Sequence, residues 1–216
     1  MKNIMLLLLM FAFGSAFGQG DFLKDGNALL GQKKYPEAEA VFRKGIKSSP
    51  TDLKLKNQLA FALMSQNKYA DAEKLITEVL KKEPANKAAL WFGGLNNLNN
   101  KSGNARKAVQ YFEKVKPLME ASKTSLVDLN IGKSYKKLLF SEGLTNAEID
   151  KMQAAFSAFV EMQPDAEDNK DVKEFLKFVK GSRPNPKIRK MDKWQIAAED
   201  QGAQKQIDQF LKENKK

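Results

Sequence analysis

The chain of 216 residues contains no cysteine and no histidine. Without cysteine there can be no disulfide, thiolate metal site, thiol nucleophile or lipid-modified N-terminal cysteine. Without histidine the usual general base near neutral pH and the commonest metal ligand are both missing. Zinc chemistry and Ser-His or Cys-His catalysis are therefore excluded. The sequence points to no catalytic residue, no metal and no cofactor, and packing alone must hold the fold. Long apolar runs are also scarce. The single one, Ile4 to Phe13, has ten residues, against roughly 20 needed to cross a bilayer as a helix. Acidic charge is the minority: 26 Asp and Glu face 37 Lys and Arg, for a formal net charge of +11.

The short apolar run has a context of its own. Lys2 precedes it and the small residues of GSAFGQG follow. A charged start, a short apolar run and a small-residue exit describe a cleavable export signal over residues 1–18. Cleavage after Gly18 is preferred and leaves Gln19 at the new terminus; cleavage after Ala16 is the other option. The expected protein is exported, to the periplasm first and to the medium second, with no integral membrane segment in the mature chain. Its charge of +10 is spread as +3 over residues 19–85, +4 over 86–164 and +3 over 165–216. A nucleic-acid binder gathers basic charge on one stripe, so no nucleic-acid partner is expected. The exception is Lys177 to Lys193, seven bases against the single acid Asp192. Its Arg183, Lys187, Arg189, Lys190 and Lys193 form a basic patch able to contact an anionic envelope polymer or membrane surface.

What the sequence does contain is a repeat. KKYPEAEAVFRKGIKSSP begins at Lys33, and NKYADAEKLITEVLKKEP begins thirty-four residues later at Asn67. Tyr35 returns as Tyr69, Ala38 as Ala72, Phe42 as Ile76 and Pro50 as Pro84. Apolar residues in both segments recur at helical spacing. A second helical stretch precedes each segment, with Gly26 and Ala60, and Leu29 and Leu63, again thirty-four apart. Each unit is helix, short polar turn, helix, proline. Such a unit cannot bury its apolar face alone and must stack on neighbours.

The pattern resembles the tetratricopeptide repeat, carried by Gly26 and Ala60, Tyr35 and Tyr69, Ala38 and Ala72, Phe42 and Ile76, and the closing prolines. The resemblance implies an all-α, right-handed superhelical solenoid of antiparallel helix pairs. Two looser copies follow. The third joins NKAALWFGGLNNLNN to NARKAVQYFEKV, with either Leu90 and Gly94 or, after a one-residue slip, Trp91 and Leu98 in the packing roles. The fourth pairs SLVDLNIGKSYKKLLF with a helix opened by a capping box at Thr145 and Glu148, whose buried stripe is Met152, Phe156 and Phe159. The repeats then cover residues 19–164, in units of about 19–52, 53–86, 87–121 and 122–164. Residues 165–181, with Val172, Phe175, Leu176 and Val179 at helical spacing, supply a C-terminal capping helix. The two prolines of SRPNPKIRK exclude a helix there, so 182–216 reads as a basic linker followed from Asp192 by a weakly docked helix.

In proteins of this family the first helix of each pair lines a concave groove that takes up a peptide or a partner helix. Carried onto this chain, the groove candidates are Asn27 in the first pair and Asn57, Phe61 and Met64 in the second. The third pair contributes Trp91 and Leu95, and the fourth Lys133, Lys136 and Lys137. Some relatives clamp a partner's terminal carboxylate with lysines and asparagines. Leu23, Ala88 and Phe92 stand where that clamp needs bases, so it is not carried over. The resemblance implies a non-catalytic interaction scaffold of the cell envelope with a protein or peptide partner, one bearing apolar anchors followed by acidic residues. The alternative is an anionic-polymer or membrane-surface binder using the basic patch. IGKSY at Ile131 lacks the earlier glycine and the strand of a phosphate loop. Paired carboxylates such as Glu37 and Glu39, or Glu167 and Asp168, read as solvated.

Overall fold

The computed structural model describes residues 21–185 and 192–196. Among these the chain forms nine α-helices and no strand longer than an isolated bridge. They are α1 (Phe22–Gly31), α2 (Tyr35–Ser48), α3 (Leu53–Met64), α4 (Tyr69–Lys82), α5 (Lys87–Asn99), α6 (Ala105–Val115), α7 (Thr124–Ser141), α8 (Asn146–Met162) and α9 (Asn169–Ser182). Two single 3₁₀ turns, Lys116–Leu118 and Ala121–Lys123, separate α6 from α7. Consecutive helices pack in pairs, and α1, α3, α5 and α7 also touch one another in sequence. The result is a solenoid, with the first helices of the pairs as one layer and α2, α4, α6 and α8 as the other.

Most first helices start on a polar side chain that satisfies free N–H groups. Asp21 accepts from Lys24, Asp52 from Lys54 and Leu55, and Asn86 from Ala89. The turns inside the first two pairs reuse one backbone device. Lys33 and Asn67, thirty-four apart, sit at φ 59° and 60°. The following amide reaches back to Leu29 and Leu63 respectively, at 2.9 Å in both.

Each pair is closed by a small residue under a bulky one. A β-carbon on Gly26 would lie 2.2 Å from the Phe42 ring; on Gly94, 2.4 Å from Phe112; on Gly132, 2.5 Å from Phe156. Where the second pair has Ala60, the facing position holds Ile76 rather than a phenylalanine, and both are fully buried. The partners are 16 residues apart in the first two pairs, 18 in the third and 24 in the fourth. The inserted residues therefore bulge outward while the contact is kept. Gly94 against Phe112, with Leu90 almost fully buried, settles the register of α5: Leu90 and Gly94 take the packing roles, and Trp91 and Leu98 are only partly buried.

The junctions between pairs are polar. Glu39 on α2 accepts from Gln66 (2.9 Å) and Lys68 (2.8 Å) of the next pair and from Arg43 (2.8 Å). Thirty-four residues on, Glu73 accepts from Asn96, Asn97, Lys107 and Tyr111. Gln66 and Asn96 also donate to the carbonyls of Tyr35 and Tyr69. Glu39 is thus not the solvated residue its charged sequence context indicates. Its side chain is 13% exposed. Burial pushes its carboxyl up, but hydrogen bonds from Lys68, Arg43 and Gln66 outweigh this and hold it at about 2. The next position in the period is Lys107, and the third junction changes hands. Arg106 bonds Glu142 and Glu148, both at 2.7 Å.

At the C-terminal end Phe175 of α9 packs edge-on against Phe156 of α8, with ring centres 5.9 Å apart. Beyond α9, the segment Asp192–Ile196 is extended rather than helical. Trp194 and Leu144 exchange both backbone hydrogen bonds at 2.8 Å, and Ile196 donates to the Leu139 carbonyl. Gly143, at φ 74°, makes room for the Trp194 carbonyl, which a β-carbon would approach to 3.0 Å. Thin apolar spacing suggests a helix from Asp192, but the unpaired backbone at the α7–α8 turn recruits these residues as a bridge instead. The remainder of that expected helix, residues 197–216, and the export signal lie outside the described residues.

Candidate functional site

The layer of first helices presents a row of apolar side chains neither buried nor free. Phe61 of α3 stacks on Phe92 of α5, ring centres 5.5 Å apart and planes inclined by 25°. Leu23 and Leu30 on α1, and Trp91, Leu95 and Leu98 on α5, are likewise partly buried. Trp91 sets its edge against the core ring of Phe112 at 5.5 Å and keeps part of its surface in solvent. On α7 Leu126 is 55% exposed, the largest exposure of any large apolar side chain among the described residues. Aromatic and aliphatic groups along one helix layer thus form a partly exposed apolar surface.

The polar candidates fare differently. Asn27 is exposed on α1. Asn57 is buried and donates at 3.0 Å to Asn86, the N-cap of α5. It ties two first helices together, and its own carbonyl oxygen finds no partner. Met64 is 8% exposed and belongs to the core. The three lysines of α7 are already engaged. Lys133 pairs with Asp168 at 2.9 Å. Lys136 lies 4.4 Å over the Phe175 ring, and burial, together with nearby Lys133 and against the pull of Asp171, lowers its pKa. Lys137 donates to the carbonyls of Leu98 (3.3 Å) and Asn100 (2.9 Å), the exposed end of α5. Asp168, paired with Lys133, is likewise not simply solvated. The apolar-to-basic gradient is real in sequence, but its basic end is closed by α9 and by the end of α5.

The basic patch divides in the same way. Arg183 is bound to α8 through the Asn146 side chain (2.9 Å), the Asn146 carbonyl (3.1 Å) and Asp150 (2.6 Å). Lys193 is exposed. Lys187, Arg189 and Lys190 lie outside the described residues. Among the described residues no group of acidic, cysteine or histidine side chains is placed to hold a metal ion, and no helix is long and apolar enough to cross a membrane.

Two members of the apolar row are not marked by the sequence pattern. Phe92 stands where that pattern asks for a lysine, and nothing in one sequence says that it stacks on Phe61. Leu126 falls at the position of Lys54 and Ala88 once the spacing from Gly94 to Gly132 is counted as 38 residues instead of 34. That shift is the available signal.

The family model described as tetratricopeptide repeat matches residues 29–91. No curated protein matches the chain. Among solved structures, MamA 41-end from Desulfovibrio magneticus RS-1 is similar at a TM-score of 0.63 and 17% identity, covering 91% of this chain and 99% of that one. A tetratricopeptide repeat protein from Parabacteroides merdae is similar at 0.57 and 16%, covering 90% and 65%. A thermophilic TPR protein from Thermus thermophilus is similar at 0.54 and 15%, covering 74% and 81%. At these identities the likeness speaks for the fold.

Proposed function

We propose that this chain, whose residues 29–91 match the tetratricopeptide-repeat model, is a non-catalytic protein–protein interaction scaffold whose first-helix layer takes up a partner segment through apolar and aromatic anchors. The observation that carries this reading is the row of partly buried Phe61, Phe92, Trp91 and Leu95 with exposed Leu126. Large apolar side chains held partly in water along one face are what a partner would cover. Acidic residues in the partner are a secondary feature, because Lys133, Lys136 and Lys137 already have intramolecular contacts. The sequence of residues 1–18 supports export and a role in the cell envelope, in the periplasm ahead of the medium.

The test is cross-linking in the protein's own cells with three forms: the natural chain, Phe61→Asp and Leu95→Asp. A partner captured by the first and lost with both variants, at unchanged helical signal, supports the reading. Equal capture by all three overturns it. Capture that survives about 0.5 M salt fits apolar anchoring, whereas steep loss with salt points to the anionic-surface alternative. The mass of the envelope-derived chain reports whether residues 1–18 have been removed.

A further inference from the structure

The described chain ends beside the apolar row. Trp194 lies at the α7–α8 turn, and the next two residues step onto the end of α7, in the first-helix layer. Gln195 donates to the Phe140 carbonyl at 3.2 Å, and Ile196, 5% exposed, donates to the Leu139 carbonyl at 3.2 Å. That end of α7 is held against the end of α5 by Lys137 on the carbonyls of Leu98 and Asn100. Leu98, Leu95 and Trp91 then follow back along α5 in steps of three and four residues, and Phe92 leads on to Phe61 of α3. Residues 197–216 continue from this point.

Their sequence complements that surface in the order in which the chain meets it. Glu199 and Asp200 come first, and the α7 lysines Lys133, Lys136 and Lys137 are only partly buried. Ile207, Phe210 and Leu211 come next, at a spacing that puts all three on one face of a helix. So short an amphipathic stretch is marginal alone in water and needs an apolar surface to lie on. Reach is no obstacle. Packed neighbouring helices stand about 8–10 Å apart, so α3 is about 20 Å from α7, whereas residues 197–206 extend to about 36 Å at most. We propose that residues 197–216 dock on the apolar row, with Ile207, Phe210 and Leu211 covering Trp91, Phe92 and Leu95, so that a partner binds only by displacing them. The displacement rests on the partner-binding reading of that row; the docking does not. A segment tethered this closely competes at an effective concentration on the order of millimolar, which sets the affinity an outside partner must exceed.

The chain has no cysteine, so Gln209→Cys carries a single nitroxide label, read by the broadening it causes in the amide signals of the full chain. The label should cut the Trp91, Phe92 and Leu95 signals to less than half and leave Phe42 of α2 unchanged. Adding Ile207→Asp, Phe210→Asp and Leu211→Asp to the labelled chain should reduce that broadening at least threefold. Leu95→Asp should do the same; if it loses helical signal, the three tail substitutions, which leave α1 to α9 untouched, decide. No broadening at α5, or broadening indifferent to the tail substitutions, overturns the inference. So does broadening that arises only between labelled and unlabelled copies in a mixture, which makes the occupant a second copy. If the tail fails to dock while partner capture is still lost with Phe61→Asp, this inference alone falls. If the tail docks while capture ignores Phe61→Asp, the partner reading falls and the displacement with it, but the docking stands.

Discussion

The first two pairs and the last two solve the same packing problem by different means. In residues 22–82 every device recurs after thirty-four residues: the small-over-bulky contact, the left-handed turn residue, and the acid that grips the next pair. In residues 87–162 only the first survives. The turns lengthen, the junction passes from an acid to Arg106, and Lys137 is drawn onto the carbonyls at the end of α5. What a repeat protein cannot vary is therefore the closest helix–helix approach. What it can vary is how the pairs are tied to each other, and the partly buried apolar row involves the region where that variation begins.

The comparison breaks most completely if the shared contact is removed. Phe42→Ala and Phe156→Ala each leave a void under a glycine and should cost about 3–5 kcal/mol. The fourth-pair variant should lie at the upper end, because Phe156 also supports Phe175 of α9; urea denaturation checks this. Next in size is the reciprocal change. Gly26→Ala and Gly132→Ala overpack against a ring and should cost about 1–3 kcal/mol, while Ala60→Gly, which faces Ile76, should cost only about 1 kcal/mol. Equal effects at all three sites would mean that the small residues are not matched to their partners.

The junctions separate by pH. Glu39 has a depressed pKa, so its contribution is fully present above about pH 4.5 and lost as pH falls toward about 2. With Lys68 and Arg43 about half exposed to screening solvent, about 1–2 kcal/mol is at stake. Glu39→Gln should remove that part of the acid dependence of the first junction, read from melts between pH 5 and 2. The smallest expected effect is a gain. Lys33→Gly relieves a left-handed backbone at a non-glycine residue and should stabilise the chain by about 0.5–1 kcal/mol. The same change at Asn67 should yield less, because asparagine tolerates that conformation.

Much of the architecture was readable because its causes are local or strictly periodic. Helical spacing, the Thr145–Glu148 box and the Gly26/Ala60 phase each lie within one unit or one period. The features that were not readable depend on partners far along the chain. Glu39 looks solvated until Gln66 and Lys68 arrive from 27 and 29 residues away. Lys133 and Lys136 look like a free basic surface until α9 brings Asp168 and Phe175 onto them. Trp91 and Leu90 are both apolar and adjacent, so only the contact of Gly94 with Phe112 fixes the register. The extended Asp192–Ile196 has no periodic signal at all, because its conformation is dictated by Leu144.

The bridge between Leu144 and Trp194 also changes how the array can come apart. A stack joined only by neighbour contacts frays from its ends, one unit at a time. Here the chain leaves the α7–α8 turn, runs through α8 and α9, and returns to that same turn, enclosing both helices in a loop fastened at its base. α9 cannot lift away independently without straining that fastening. In amide hydrogen exchange Leu144, Trp194 and the α9 core should therefore open as one cooperative unit, giving this array one end that unravels and one that is tied.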